Sequence, residues 1–238
     1  MPSFERYDRI VDAYSTMWPL IVPGYVPCLN AMLEAVRALD LRPREVLDLG
    51  CGPGSAIVAV APACHPEARV TLVDGAPKML AAAQAVVGSR AAAAICDDFR
   101  KPDVLARITR PLSYDLVLCS FALHHWDDAE KRTVLEALAR SVRPGGLLVL
   151  ADEVVADAPA GWDVVGRVRM RMIDSNISSG RIPKEFVATE AALPPDLRLP
   201  FKPSRTDEVV SWLARSGLAV GVPLTVFGAA LHLALKPV

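Results

Sequence analysis

From Glu45 to Leu150 the chain alternates short, nearly unbroken apolar runs with longer segments in which apolar residues recur every three or four positions. The runs Val46–Leu49, Val70–Val73, Ala92–Cys96, Leu116–Cys119 and Leu147–Ala151 predict strands. They lack polar alternation, as strands buried on both faces do, and the segments between them are long enough for helical crossovers. Lys131 to Arg140 has amphipathic helical spacing and stops before Pro144-Gly145-Gly146. Beyond the fifth run the pattern changes. Trp162 to Ser178 has helical spacing with an arginine-rich face, and Ser179 to Ser204 reads as turns, with Pro183, Pro194, Pro195, Pro200 and Pro203. Thr206 to Arg215 predicts a helix with Thr206 as N-cap and Gly217 as its stop. Val220–Thr225 and Ala229–Leu235, separated by Phe227-Gly228, predict an antiparallel hairpin. Before the first strand lies a helix from Val26 to Leu39, preceded by Tyr7, Tyr14, Trp18 and Tyr25.

These elements predict an α/β fold: a doubly wound, seven-stranded, mostly parallel sheet with an antiparallel C-terminal hairpin and a helical cap. The core is 46–151 plus 205–238, within a single domain 1–238. Residues 1–40 form an N-terminal lid or helix, and 157–204 a cap inserted after the fifth strand.

The run Val46-Leu47-Asp48-Leu49-Gly50-Cys51-Gly52-Pro53-Gly54 joins a strand to the helix-like segment Ser55 to Ala63. Glycine at every second position allows positive φ and lets the backbone approach a ligand closely. The spacing is G-x-G-x-G rather than the G-x-G-x-x-G of dinucleotide sites. Asp48 ahead of the turn would repel a pyrophosphate and suits a ligand with a cationic amino group. Asp74 ends the second strand, where either a functional acid or a solvated turn acid is expected.

This stretch resembles the first motif of class I S-adenosylmethionine-dependent methyltransferases, and further landmarks follow in order. Val70-Thr71-Leu72-Val73-Asp74 resembles the second strand, whose terminal acid takes the ribose hydroxyls in that family. Ile95-Cys96-Asp97-Asp98-Phe99 resembles the third strand end: Asp97, or Asp98 one residue on, is implied as the adenine contact and Phe99 as packing on the ring. Tyr114 to Ser120 and Val142 to Leu150 resemble the fourth and fifth strands. The resemblance implies a Rossmann-like fold, S-adenosylmethionine as cofactor, and Asp48, Gly50, Gly52, Gly54, Asp74 and Ser120 among the residues that hold it. Ile21-Val22-Pro23-Gly24-Tyr25, with Asp12-Ala13-Tyr14 ahead of it, is similar to the N-terminus of the carboxy-S-adenosylmethionine synthase group. There the matching tyrosine lies near the sulfonium, which implies Tyr25, with Tyr14, as further cofactor residues.

Composition narrows the function. The chain has 238 residues, 52% hydrophobic and 22% charged, as an ordinary folded globule does, and is long enough for a substantial core. A formal net charge of -1 leaves no basic footprint for nucleic acid. No apolar run approaches the roughly 20 residues that span a bilayer, and no signal-peptide pattern opens the chain. The 5 cysteines are scattered and odd in number, which reads as reduced thiols and a cytoplasmic location. No metal-ligand spacing occurs.

Candidate chemistry beyond the cofactor is sparser. Ser120-Phe121-Ala122-Leu123-His124-His125-Trp126 follows the fourth strand, at the sheet edge where ligands bind. Either histidine suits general-base work, with His124 preferred; the alternative is packing or capping of the next helix. The N-terminal aromatics, Trp18 included, read equally as a lid over the site or as the packed stripe of a helix. Arg167 and Arg171 can share one helix face, and a solvated face or a carboxylate clamp are the two readings. The clamp would imply a carboxylate-bearing acceptor. The expected function is methyl transfer from S-adenosylmethionine to a small-molecule acceptor by in-line displacement. A carboxy-S-adenosylmethionine-related enzyme and a non-catalytic nucleoside-binding partner protein are the alternatives. The closing stretch Leu218 to Leu235 reads as core strands or as the edge of a homodimer.

Overall fold

A computed structural model describes residues 4–155, 159–191 and 200–238. Its strands are β1 (Glu45–Leu49), β2 (Arg69–Asp74), β3 (Ala91–Cys96), β4 (Tyr114–Ser120), β5 (Val142–Val155), β6 (Ser204–Arg205), β7 (Ala219–Val226) and β8 (Ala229–Leu235). The helices are α1 (Glu5–Ile21), α2 (Tyr25–Ala38), α3 (Ser55–Val60), α4 (Pro77–Val87), α5 (Pro102–Ile108), α6 (Asp128–Ser141), α7 (Pro159–Ser178), α8 (Lys184–Ala191) and α9 (Thr206–Arg215). The main sheet runs β3-β2-β1-β4-β5-β8-β7, with the short β6 pairing to β5. β1 to β5 pair in parallel, while β8 lies antiparallel between β5 and β7. The fold is thus α/β and doubly wound, with the seven main strands and the C-terminal hairpin that the apolar pattern predicts.

Strand periodicity explains the two core layers. Leu116, Leu118, Leu147 and Val149 face the layer of α2, α3 and α4, against Met32, Ile57 and Met79. Val117, Cys119, Leu148 and Leu150 face the opposite layer, against Ile108, Leu135, Leu138 and Leu213. Successive side chains alternate faces, so an unbroken apolar strand fills both layers at once. The strand order reverses beside β1, and the crevice at the carboxyl ends of β1 and β4 is the ligand position in such sheets.

Several local expectations differ. β3 is an edge strand with Ala92, Ala93 and Ala94 exposed, so its apolar run is not buried on both faces. β5 begins at Val142 and absorbs Pro144-Gly145-Gly146, which enter the ladder through a register shift opposite Tyr114 to Leu116 instead of ending the preceding helix. It also continues through Asp152 and Glu153. Arg205, not Thr206, holds the N-cap of α9, and the Glu208 carboxylate accepts its N–H at 3.3 Å. Within the segment expected to be all turns, α8 follows Pro183, a residue suited to opening a helix. Pro194 and Pro195 lie outside the described residues. The β7–β8 turn holds Phe227 at φ 45° and Gly228 at φ 82°, both left-handed, as a two-residue hairpin requires. Pro223 is tolerated in β7 because that strand is an edge with a register shift between Gly221 and Leu224.

Candidate cofactor and acceptor site

The turn after β1 holds Gly50, Gly52 and Gly54 at φ of 64°, 51° and 88°. The three glycines do different work. A Cβ on Gly50 would overlap that of Ala122, whereas one on Gly52 would meet nothing within 4 Å. Gly54 caps α3 and lets it pack on Ala83 and Val86 of α4. Beside this turn, Asp74 accepts the Gly52 N–H at Oδ2 and the Ala76 N–H at Oδ1, both at 2.8 Å. Each carboxylate oxygen keeps a further lone pair, so the acid is oriented yet still able to accept from a ligand. Burial pushes its pKa up, and those amides oppose the shift.

Asp48 is fully buried beneath the turn, and neither carboxylate oxygen closes a hydrogen bond within the described residues. Burial pushes its pKa up to about 7, with the Ile57 amide opposing and Asp74 adding to the rise. A buried, unsatisfied acid at a glycine turn fits a ligand that brings a cationic group.

A cavity opens at this turn, with Tyr7, Tyr14, Gly52, Asp74, Ser120 and Phe99 among its walls. Phe4, at the start of α1, packs on Gly75 and meets Trp126 edge-on at 6.5 Å. Asp8 of α1 accepts the Lys78 N–H at 2.7 Å, at the start of α4. The N-terminal aromatics form a packed stripe, Tyr14 and Trp18 stacking with centroids 4.3 Å apart, and Tyr7 and Tyr14 line the cavity.

At the far end of the cavity only Phe99 of the three adenine-end candidates forms a wall. Asp97 pairs with Lys101 at 2.8 Å and Asp98 with Arg100 at 2.6 Å. Arg100 in turn lies 3.8 Å over the Trp126 ring, so Asp98 buttresses an aromatic wall. Tyr25 also lines neither this cavity nor the next. It is buried behind Phe121, with centroids 5.1 Å apart, because α2 directs it into the core.

A second cavity adjoins the first and includes Trp18, Phe121, His124, Glu153, Arg169 and Phe201 in its lining. Tyr7, Phe121 and His125 border both. Phe121 sits at φ 51°, a strained position for a bulky residue, with its N–H on Ala151 O at 2.7 Å.

His124 is buried, with Nδ1 2.6 Å from Asp152 Oδ1 and Nε2 3.8 Å from Glu153 Oε2. Burial pushes its pKa down, but Asp152 and Glu153 more than reverse this, so the net shift is upward. His125 Nδ1 is 2.8 Å from the Pro200 carbonyl and its Nε2 is 2.7 Å from the Tyr7 hydroxyl. Burial and the neighbouring His124 lower its pKa to about 4.

The arginine expectation needs correction. Arg167 lines neither cavity, and Arg171 lines an outer groove with Arg181 and Asn176. Arg169, two residues from Arg167 and from Arg171 and so on another face of α7, is the α7 cation that lines the second cavity. It pairs with Glu153 and donates from Nε to Ile21 O at 3.3 Å. Asp152, Glu153, Arg169 and Tyr7 were missed as candidates. An acid pair directly after the apolar run of the fifth strand was the available signal for the first two. For Tyr7 it was the seven-residue interval to Tyr14, which places both on one helix face. Among the described residues no group of His, Cys, Asp and Glu converges as a metal set, and no single helix is long and apolar enough to cross a membrane.

Residues 46–146 match a methyltransferase domain family. The carboxy-S-adenosyl-L-methionine synthase of Chromohalobacter salexigens is 29% identical over 82% of this chain and 72% of its own length. The synthase of the same name from Shewanella baltica is 25% identical over 66% of this chain and 64% of its own. Among solved structures, an O-methyltransferase family protein from Burkholderia thailandensis superposes with TM-score 0.65 at 19% identity, covering 97% of this chain and 59% of that one. Human N-acetylserotonin methyltransferase, solved with S-adenosylmethionine, gives TM-score 0.60 at 17% identity, covering 98% and 56%. The chain therefore spans less than two thirds of the length of several proteins it matches. Residues 46–146 thus carry a methyltransferase domain, and the solved structures share its fold.

Proposed function

We propose that this protein transfers the methyl group of S-adenosylmethionine to a small-molecule acceptor held in the second cavity, by direct in-line displacement. The observation that carries this reading is the wall shared by the two cavities at Tyr7, Phe121 and His125, across which donor and acceptor would meet. The cofactor supplies an electrophilic methyl group on a sulfonium, a good leaving group. What remains for the protein is alignment, exclusion of water and removal of a proton. The glycine turn admits the cofactor, Asp48 answers its amino group, and Asp74 accepts from the ribose. Phe99 packs on the ring. Asp97 or Asp98, at the same strand end and ion-paired to Lys101 and Arg100, is the candidate partner for the adenine amino group.

For proton removal the geometry supports His124. Asp152 holds its Nδ1, leaving Nε2 as the basic atom, and the raised pKa makes it a stronger base than free imidazole. The acceptor nucleophile can be oxygen, nitrogen or carbon. Arg169 is the cation that a carboxylate-bearing acceptor would meet. The wall of Trp18, Phe121 and Phe201 favours a flat apolar body for it.

A second reading, a carboxylated donor, is supported by the carboxy-S-adenosyl-L-methionine synthases among the relatives. A third, an activated or partner-dependent protein, is supported by a Haloferax volcanii methyltransferase solved with its Trm112 activator, at TM-score 0.60 and 16% identity. The five free cysteines, three of them buried, support a cytoplasmic location.

Mass spectrometry of ligand released by denaturing fresh protein, followed by an acceptor panel, tests these readings. S-adenosylmethionine or S-adenosylhomocysteine with turnover by the protein alone supports the first. A ligand heavier than S-adenosylmethionine by one carboxylate supports the second. Failure to retain or bind either nucleoside would overturn the assignment of the cavity.

A further inference from the structure

His232, on β8, is fully buried, yet neither ring nitrogen closes a hydrogen bond within the described residues. A buried polar group left in that state costs free energy, so a partner is expected. Burial pushes its pKa down, and the Leu150 and Thr206 backbone and the Asp152 charge only partly oppose this, so the ring is neutral. It therefore carries one N–H and one lone pair. The ring lines a pocket behind the His124–Asp152 pair, with Lys131, Glu153 and Ser204 also in the wall. The free volume there, about 20 Å³, is room for a water molecule and not for a substrate.

The sheet explains why the histidine and the acid stop short of each other. His232 pairs with Leu150 and Ala230 with Asp152, so His232 and Asp152 are diagonal neighbours on one sheet face. Diagonal positions lie roughly 7–8 Å apart, a gap that one small molecule between the side chains can span. Asp152 Oδ1 is taken by His124 Nδ1 and the Glu153 N–H. Oδ2 accepts the Leu123 N–H at 2.8 Å and keeps a lone pair. Lys131 is no rival donor, because its three protons go to Asp128, Ser204 and the Lys202 carbonyl.

We propose that this pocket holds one structural water, which accepts from the His232 N–H and donates to Asp152 Oδ2, and that His232 is thereby a positioning residue for His124. Its bearing on turnover rests on the reading of His124 as the base; the water site does not. The water competes with His124 for the Asp152 charge. It stabilises the carboxylate most while His124 is neutral, since an imidazolium already offsets that charge. Losing the water should therefore raise the titration midpoint of His124. Asp152 and Glu153 of β5, Arg169 of α7, Lys131 of α6 and the adjacent His125 are the other charged or titratable groups around it.

The experiment is an NMR titration of the wild-type protein, His232→Met and His232→Gln, each labelled with nitrogen-15 in the histidine rings. His232→Met has no N–H to hold the water and is expected to raise the His124 midpoint by about 0.5 pH units or more. His232→Gln keeps a donor and an acceptor and is expected to stay within about 0.2 units of wild type. An unmoved midpoint in His232→Met, or equal shifts in both variants, would overturn the proposal. A crystal structure of the wild type is expected to show a water within hydrogen-bond reach of His232 and Asp152. A dry pocket, or a direct bond between the two side chains, would also overturn it, and that structure decides if His232→Met fails to fold. A shifted midpoint with an unshifted pH profile of turnover would overturn His124 as the base, a result distinct from a midpoint that does not move.

Discussion

His124 Nδ1 lies 2.6 Å from Asp152 Oδ1, and both side chains are buried where β4 and β5 end side by side. Asp152 is fixed in turn by the Leu123 and Glu153 N–H groups, each at 2.8 Å. Burial pushes the Asp152 pKa up, but the His124 charge and these hydrogen bonds more than offset it.

Removing one partner leaves the other buried without compensation, so Asp152→Asn is expected to destabilise the fold by about 3 kcal/mol. The loss should depend on pH. The raised His124 pKa contributes stability below its unfolded value, near 6.5, that fades as pH rises through the folded value. The lowered Asp152 pKa contributes stability above its unfolded value, near 4, that fades as pH falls through the folded value. Urea unfolding of wild type and variant should therefore differ most between about pH 4 and 6.5 and less at pH 9. A difference that grows toward pH 9 would contradict the charged pair.

Asp48 behaves in the opposite sense. Its pKa rises on folding to about 7, so the folded state holds a proton that the unfolded chain has released above about pH 4. Stability consequently falls as pH rises from 4 through 7. Asp48→Asn should stabilise the ligand-free protein by on the order of 2–4 kcal/mol at pH 8 and much less at pH 4. The same variant should bind S-adenosylmethionine more weakly. Thermal melts at the two pH values, with and without ligand, check both halves.

Gly50 and Gly52 separate packing from ligand access. Gly50→Ala combines a left-handed backbone with overlap onto Ala122 and should lower the melting temperature of the free protein strongly. Gly52→Ala meets open space, so its cost to folding should stay near the roughly 1 kcal/mol of backbone strain. Its added methyl should instead weaken S-adenosylhomocysteine binding. Similar melting temperatures for the two variants would contradict this division.

Arg169→Met should destabilise the protein by about 3 kcal/mol, since Glu153 would remain buried without its guanidinium partner, with only His124 Nε2 at 3.8 Å beside it. Arg167→Met and Arg171→Met, on exposed positions, should change stability by less than about 0.5 kcal/mol. Denaturant midpoints for the three variants test this. Equal effects would return the arginines to a single solvated face.

The legible part of the site is the part carried by local rules. The turn glycines sit where a strand meets a helix, and their positive φ values are a property of the turn itself. Asp74 was legible for the same reason, at the end of an apolar run. Asp97 and Asp98 stand at the expected strand end, and their ion pairs with Lys101 and Arg100 were not legible in the pattern. Tyr25 matched a motif, yet the angle at which α2 packs sends it into the core.

By itself the sequence determined the layers: apolar runs without alternation require a sheet covered on both faces, and the hairpin and glycine turn follow from backbone sterics. Only the tertiary structure decided which distant groups meet. His124 finds Asp152 because β4 and β5 are neighbours, and Tyr7 finds His125 because α1 crosses the sheet edge. Arg169 reaches Glu153 because α7 returns over the end of β5. Local propensity acts over a few residues, whereas these pairings depend on how whole elements dock, and that is settled by burial summed over the entire core.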